Sequence, residues 1–412
     1  MSFLKSIYHW FWAWGSNIWY GRPSKDLFVI GITGTKGKSS TVELLAKILE
    51  ENDESVAYYS SSEKNIAGKE LEKEVTNTMP GRGRLQKFLK RAKDESVKYV
   101  ILEVTSEGCV QHRHKFIDWN VGVFLNLHPE HLEAHGSYEA YREAKLSFFR
   151  YLKQSRSRKK YFVINEEDDD APYFRDVAKD VEGSKILTFS KDDVFQMVRR
   201  IKEKNDLRWL EADFNVENVA AAYRLAKLCD VPLEVIESAI GDFEGVEGRM
   251  EFVQAEPFSV IVDYAHTPKS MREVYRSVYD YPEFKDNSRL ICVFGSAGGG
   301  RDKWKRAEFG KIAADYGDVI ILTSEDPYEE DPEEIIDDIK DGISEAEERP
   351  SRVLDFVDRE EAIARAIYLA KEGDFVVITG IGAQDYMYTD EGKIKWSDID
   401  VVESKLEKLY GD

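Results

Sequence analysis

The run Gly31-Ile32-Thr33-Gly34-Thr35-Lys36-Gly37-Lys38-Ser39-Ser40 carries the residue types that hold a nucleoside triphosphate. It follows an apolar stretch, Leu27-Phe28-Val29-Ile30, and leads into a pattern with Val42, Leu45, Ala46 and Leu49 on one helical face. A strand, a glycine-rich turn, Gly-Lys-Ser and a helix make a phosphate cradle. Glycines let backbone N–H groups approach phosphate oxygens, and the helix N-terminus adds positive partial charge. Lys38 is then placed to reach the β- and γ-phosphates, and the Ser39 hydroxyl to ligate Mg2+. Gly34, Thr35, Lys36, Gly37 and Ser40 complete the candidate cradle. The spacing departs from G-x-x-x-x-G-K-[ST], since position 32 is Ile and the nearest upstream glycine is Gly31. The flanking pattern still reads as that of an ATP-using protein.

Other segments hold further chemistry. Glu103 ends an apolar run and opens Glu103-Val104-Thr105-Ser106-Glu107-Gly108-Cys109-Val110-Gln111-His112-Arg113. Ligand sites in open α/β sheets lie beyond the carboxyl ends of strands, so Glu103 is placed to ligate Mg2+ near the phosphates. A carboxylate buried there without a cation would be costly. Asn126–Gly136 holds His128, His131 and His135, with no H-E-x-x-H, no nearby cysteine, and Pro129 interrupting any helix. One imidazole at a magnesium site suits this better than zinc, the other two being structural. Lys145, in Arg142-Glu143-Ala144-Lys145-Leu146, reads from composition as a surface lysine on an amphipathic helix. Later come Gly248-Arg249-Met250-Glu251, then Asp263-Tyr264-Ala265-His266-Thr267-Pro268, then the glycine run Gly295–Lys303. Asp263 ends a strand and could accept from a ribose hydroxyl. Arg301 suits bidentate binding of a carboxylate or phosphate.

Positioning these residues requires alternating strands and helices. Apolar runs predict strands at Leu27–Ile32, Tyr99–Glu103, Val121–Leu125 and Tyr161–Ile164, with helices at Thr41–Glu51, Tyr138–Leu152 and Asn215–Leu228. A second set predicts strands at Val260–Asp263, Leu290–Phe294, Val319–Thr323 and Phe375–Thr379. Helices at about Lys269–Tyr279, Trp304–Tyr316, Pro332–Asp341 and Arg359–Lys371 separate them. Apolar strands joined through helices imply parallel sheets covered on both faces. The fold class is α/β, a P-loop-type ATPase domain with a mostly parallel sheet followed by a Rossmann-like α/β domain. The boundary falls in the Gly-, Asp- and Glu-rich stretch Gly241–Gly248, giving an aromatic extension over 1–26 and domains over 27–245 and 246–412.

At 412 residues the chain can bury two or three cores. A formal charge of −20 argues against non-specific nucleic-acid binding. Cys109, Cys229 and Cys292 lie far apart, which fits a reducing cytoplasm and neither disulfides nor a thiolate metal site. Trp10, Trp12, Trp14 and Trp19 crowd the first twenty residues, where His9, Gly15, Ser16 and Asn17 interrupt any transmembrane run. No cleavage site marks a signal peptide. An aromatic helix packed on the protein body is the favoured reading. An interfacial helix resting on a membrane is the other.

The motifs together resemble those of the Mur ligases, of the MurE type that build UDP-N-acetylmuramoyl peptides. Gly34-Thr35-Lys36-Gly37-Lys38-Ser39 is similar to the family's T-G-T-x-G-K-[TS] loop. Glu103–Arg113 resembles E-V-S-S-H-G-L-x-Q-H-R, with Thr105 and Glu107 substituted. Asn126–Gly136 resembles N-L-x-x-D-H-L-D-x-H-G, with Glu130 and Glu133 for Asp. Gly248–Glu251, Asp263–Pro268 and Gly300–Arg306 match G-R-M-E, D-Y-A-H-x-P and x-R-D-x-x-K-R, and the likeness runs over about 27–400. It implies peptidoglycan-precursor synthesis, in which ATP, Mg2+, a peptide carboxylate and an amino acid give an amide, ADP and phosphate. It implies a monomer whose C-terminal domain closes over an acyl phosphate. It also replaces the surface reading of Lys145, which matches a lysine carbamylated in the family and so made anionic beside Mg2+. By the same resemblance Ser39, Glu103, His131 and Lys145 surround the metal, and Lys38 and Arg249 the phosphates. Asn218 lies near adenine and Asp263 near ribose. Asn77, Thr78, Thr105, Gln111 and Arg113 hold the acceptor, while Arg301, Glu325, Asp326, Gly380 and Gln384 surround the incoming amino acid.

Three departures qualify this. The family's N-terminal uridine-gripping domain is replaced by the aromatic segment. The diaminopimelate-reading D-N-P-R appears as Glu325-Asp326-Pro327-Tyr328, and G-K-G-H-E as Gly380-Ile381-Gly382-Ala383-Gln384. Losing one cation and one anion disfavours a zwitterionic side-chain terminus. Two alternatives follow: a ligase for another acceptor, polyglutamate or lipid-linked, and a non-catalytic nucleotide-binding partner of a membrane enzyme.

Overall fold

The computed structural model describes residues 3–71, 78–129, 135–157, 159–179, 181, 183–205, 207–300, 303–347 and 350–410. Contacts divide the chain into two units, Met1–Leu207 with Phe214–Glu244, and Arg208–Asp213 with Gly245–Asp412. A single cut therefore does not describe the division: the turn around Trp209 packs with the second unit, where the Trp209 side chain lies beside Gly245.

In the first unit the strands are β1 (Phe28–Thr33), β2 (Val56–Tyr59), β3 (Lys64–Ile66), β4 (Lys69–Glu70), β5 (Tyr99–Glu103), β6 (Val121–Phe124), β7 (Lys160–Asn165) and β8 (Ser184–Phe189). The helices are α1 (Phe3–Trp19), α2 (Lys38–Glu51), α3 (Arg84–Asp94), α4 (Ser106–Val110), α5 (Tyr138–Lys153), α6 (Ala171–Ala178), α7 (Phe195–Lys202), α8 (Asp213–Leu228) and α9 (Leu233–Gly241). One sheet runs β4-β3-β2-β5-β1-β6-β7-β8. Only β3 and β4 pair antiparallel; β1 lies parallel between β5 and β6. The segments after β1, β5 and β6 thus emerge at one edge, which is where the phosphate loop, Glu103 and Asn126 meet. Val29, Ile30 and Ile32 are fully buried. Each contributes about 1.5–3 kcal/mol by leaving water, so the platform under the loop is rigid.

In the second unit the strands are β9 (Glu251–Gln254), β10 (Ser259–Asp263), β11 (Leu290–Phe294), β12 (Val319–Leu322), β13 (Arg352–Asp355), β14 (Phe375–Thr379), β15 (Tyr386–Thr389) and β16 (Gly392–Lys395). The helices are α10 (Pro268–Val278), α11 (Trp304–Tyr316), α12 (Pro332–Glu345), α13 (Arg359–Leu369) and α14 (Asp398–Tyr410). The sheet runs β13-β12-β11-β14-β10-β9, parallel except at β9, and β15 and β16 form a separate ribbon. Both sheets are mostly parallel and α/β, as the alternation of apolar runs and helical patterns predicts. Among the described residues no helix is long and apolar enough to cross a membrane.

Candidate active site

Gly37 opens the first helix of the cradle. It sits at φ 79°, and a Cβ there would lie 2.1 Å from Asn218 Oδ1. Only glycine meets both demands. The turn is held from β6's side: Asn126 Oδ1 accepts from Thr35 N at 3.1 Å and Lys36 N at 2.9 Å. Thr35 Oγ1 bonds the Tyr141 hydroxyl at 3.1 Å. Lys38 Nζ donates to the carbonyl oxygens of Gly34 and Thr35 at 3.0 and 2.8 Å, folding its ammonium back over the loop. Ser40 lies in the first turn of α2.

Glu103 is 2% exposed at the end of β5. Its Oε1 accepts from Ser39 Oγ at 2.8 Å and from Ser61 N at 2.7 Å, and the Ser39 and Ser61 hydroxyls are 2.6 Å apart. A buried carboxylate and a hydroxyl beside a phosphate loop are hard oxygen donors of the kind Mg2+ takes, so these residues fit the ion. Among the described residues no three carboxylate, imidazole or thiolate groups converge. His131 lies outside the described residues, as do Asn77 and Arg301.

Lys145 corrects its reading from composition. It is 2% exposed, on the stripe of α5 that also buries Tyr141, Phe148, Phe149 and Leu152. Its Nζ donates to Gly34 O at 2.7 Å and stands 4.7 Å from the Tyr141 ring centroid. The amphipathic pattern puts position 145 four residues after Tyr141, on the inner face. His135 bonds Ser106 Oγ at 3.1 Å, a structural contact, and the His128 backbone N–H donates to Thr35 Oγ1 at 2.9 Å.

Of the candidate acceptor residues, Thr105 lies just before α4, and Gln111 and Arg113 just after it. Thr105 caps α4, accepting from Gly108 N at 3.0 Å. Arg113 donates to the carbonyl oxygen of Met79, the residue after Thr78, and at 2.5 Å to Gln111 Oε1. Burial lowers the Arg113 pKa, and its Nε has no hydrogen-bond partner among the described residues.

In the second unit Asp263 pins two turns, accepting from Met250 N at 2.8 Å and Ala265 N at 2.7 Å. Arg249 lies with its guanidinium 4.4 Å from the Tyr264 ring centroid. Glu325 and Gly380 meet: a Cβ on Gly380 would lie 2.1 Å from Glu325 Oε2. Burial pushes the Glu325 carboxyl up to about 8. Asp326 Oδ1 accepts from Tyr388 N at 2.8 Å, and Tyr328 stacks on Tyr388 with centroids 5.0 Å apart. Gln384 lies in the turn after β14, its N–H donating to Ile381 O at 3.2 Å.

Sequence reasoning missed three residues. Ser61 follows a strand too short to be periodic, and Asn126 and Tyr141 were inside segments singled out for their histidines and Lys145. Asn126 directly after an apolar run was the readable signal.

Two family models match, the Mur ligase middle domain over residues 32–226 and the Mur ligase glutamate ligase domain over 248–382. The UDP-N-acetylmuramoyl-L-alanyl-D-glutamate--2,6-diaminopimelate ligase of Syntrophomonas wolfei is 34% identical, covering 92% of this chain and 78% of that protein. Its namesake from Aquifex aeolicus is 35% identical, covering 94% and 79%. A solved structure of a ligase of the same name superposes with TM-score 0.60 at 28% identity, covering 94% of this chain and 80% of the other. A MurF crystal structure from Acinetobacter baumannii shares the fold at TM-score 0.66 and 18% identity, covering 95% and 80%. The chain therefore belongs to the Mur ligases, a family of ATP-dependent, ADP-forming amino-acid ligases that work in peptidoglycan-precursor synthesis.

Proposed function

We propose that this ligase adds an amino acid to a UDP-N-acetylmuramoyl-peptide acceptor through an acyl phosphate, with Mg2+ as cofactor. The observation that carries the reading is the convergence of Lys38, Ser39, Glu103 and Lys145 on one phosphate-type turn. A carboxylate is a poor electrophile. Transfer of the γ-phosphoryl to it makes a mixed anhydride that an amine attacks, with phosphate leaving.

The work of the protein is positioning and charge neutralisation. Lys38 swings from the Gly34 and Thr35 carbonyls to the triphosphate. Ser39, Glu103 and His131 would hold Mg2+, whose charge offsets that of the phosphates. Lys145, carbamylated, would add an anion to that set. Asn218 serves adenine, Asp263 ribose and Arg249 the phosphates. Asn77, Thr78, Thr105, Gln111 and Arg113 receive the acceptor; Arg301, Glu325, Asp326, Gly380 and Gln384 receive the amino acid.

Tyr328, in place of the motif's arginine, stacks on Tyr388, and this loss of a cation supports an amino acid other than diaminopimelate. The enzyme is read as a cytoplasmic monomer whose aromatic N-terminal helix packs on the protein body, contact of that helix with a membrane surface being the second reading. Phosphate release with UDP-muramoyl dipeptide, ATP, Mg2+ and a panel of amino acids tests the reaction. Release that requires one amino acid and the nucleotide sugar supports it. No release with any nucleotide sugar overturns the acceptor and favours a lipid-linked or polyglutamate one.

A further inference from the structure

Helix α1 is amphipathic in the reverse sense. A helix on a globular protein ordinarily turns its apolar stripe inward. Here the inward stripe is Ser6, His9, Ala13, Ser16 and Asn17, spaced by three and four, with Trp10 alongside. Ser6 Oγ meets His112 Nε2 at 2.8 Å, and the Trp10 ring packs edge-on against Phe116, centroids 5.2 Å apart. At the start of α3 a Cβ on Gly83, which holds φ 80°, would lie 2.9 Å from Ser16 Cβ. The helix is thus seated on the first unit by its small and polar face.

Its outward face is Leu4, Ile7, Phe11, Trp14, Ile18 and Trp19, with exposures from 38% to 84%. Tyr8 and Trp12 extend that stripe. Contiguous exposed apolar surface on a helix marks an interaction site. Indole and phenol rings with polar edges are the side chains that settle at the lipid headgroup level.

Charge selects the partner. Residues 3–25 and 78–93, which form α1, the turn after it and most of α3, hold nine Lys and Arg and no Asp or Glu, in a chain of net charge −20. Arg22, Lys25, Arg82, Lys87 and Arg91 are exposed. Among the described residues, acids at the margin of this zone include Asp26, paired with Lys93 at 2.6 Å, Asp94, paired with Lys90, and Asp118, whose N–H donates to Ser24 Oγ at 3.0 Å, and Glu107 lies near His9. Joined face to face, two copies would set these cations against one another. An anionic bilayer matches an apolar helix that is followed by Arg22 and Lys25 and packs at Ser16 on the start of the basic α3.

We propose that α1 docks the protein on anionic membrane surface, its outward aromatic face at the headgroup boundary and the basic residues around it on lipid phosphates. This deepens the proposed function by naming the partner of residues 1–20, and rests on it only for the side of the membrane concerned.

The test is co-sedimentation of the full chain with vesicles of phosphatidylglycerol and phosphatidylcholine, against phosphatidylcholine alone. The triple variant Phe11→Ser/Trp14→Ser/Trp19→Ser and the pair Lys87→Glu/Arg91→Glu are run beside it. All lie on the exposed surface, and unchanged thermal unfolding shows that each variant folds. The expected result is pelleting with anionic vesicles only, with the partition coefficient at least tenfold lower in each variant. Equal pelleting of wild type and both variants overturns the proposal. So does no vesicle binding with a dimer in sedimentation velocity that the triple variant abolishes, which assigns the face to a second copy. Because the readout is binding and not turnover, ligase chemistry and membrane docking fail separately.

Discussion

Lys38 and Lys145 donate to the same acceptor, the carbonyl oxygen of Gly34, at 3.0 and 2.7 Å. Two ammonium groups on one backbone oxygen concentrate positive charge at the turn that a triphosphate would occupy. The two differ in freedom. Lys145 is fully buried on α5, whereas Lys38 is partly exposed at the start of α2 and can exchange its carbonyl contacts for phosphate oxygens.

Lys38→Ala removes the mobile cation. Turnover should fall about 1,000-fold or more, the cost of losing a charge-stabilising donor in the transition state being about 4 kcal/mol. Stability should move little, because Gly34 O still accepts from Lys145 Nζ. Phosphate release and thermal unfolding measured side by side check this. A variant that keeps a tenth of its activity contradicts the role.

Lys145→Ala should also be impaired, by a separate route. If the side chain works as a carbamate, formate or acetate restores part of the activity by filling the vacated anion position, and bicarbonate does not. Wild-type activity in Lys145→Ala removes the carbamate. This residue also marks what the sequence left unread. The pattern of α5 placed position 145 between buried aromatics, but lysine is so seldom buried that composition outweighed periodicity. The resemblance to a family, and not the residue type, put it at the site.

Elsewhere legibility followed burial, with β2 (Val56–Tyr59), buried along its length and unread, as the exception. Leu290–Phe294 and Phe375–Thr379 are buried on both faces and read as continuous apolar runs, so their limits match the structure. Edge strands such as Arg352–Asp355 and Ser184–Phe189, with much of their length exposed, carry no such run and were not anticipated. Ser61 was illegible for another reason. It reaches Glu103 only because β2 lies beside β5, a pairing of segments some forty residues apart. The packing of α1 by its polar face could not be read from a segment whose aromatic content suggests the opposite.

Gly37→Ala places a Cβ 2.1 Å from Asn218 Oδ1 at a φ of 79°. The backbone strain alone is of order 1–3 kcal/mol. ATP affinity and unfolding temperature should both drop. Adding Asn218→Ala should recover the part due to collision and leave the part due to backbone conformation. Full recovery in the double variant, or no loss in the single one, contradicts the geometry.

Glu325 sets a pH dependence in the second unit. Its pKa rises from 4.5 to about 8 by burial, opposed by Arg359 and assisted by Asp326 and Asp398. The folded chain therefore keeps this proton to near pH 8, while the unfolded chain releases it near 4.5. Stability contributed by the neutral carboxyl is complete below about 4.5 and is lost as pH rises toward about 8. Glu325→Gln, which imitates the neutral form, should flatten that decline in urea unfolding series taken across this interval. Parallel curves for the two proteins contradict the assignment.

In the proposed reaction ATP activates an acid as its acyl phosphate before nitrogen captures it. Acceptor labelled with 18O in its carboxylate tests this most directly, by mass spectrometry of the phosphate released. The account predicts one labelled oxygen in each inorganic phosphate formed with product. Phosphate free of label, with amide still formed, contradicts it.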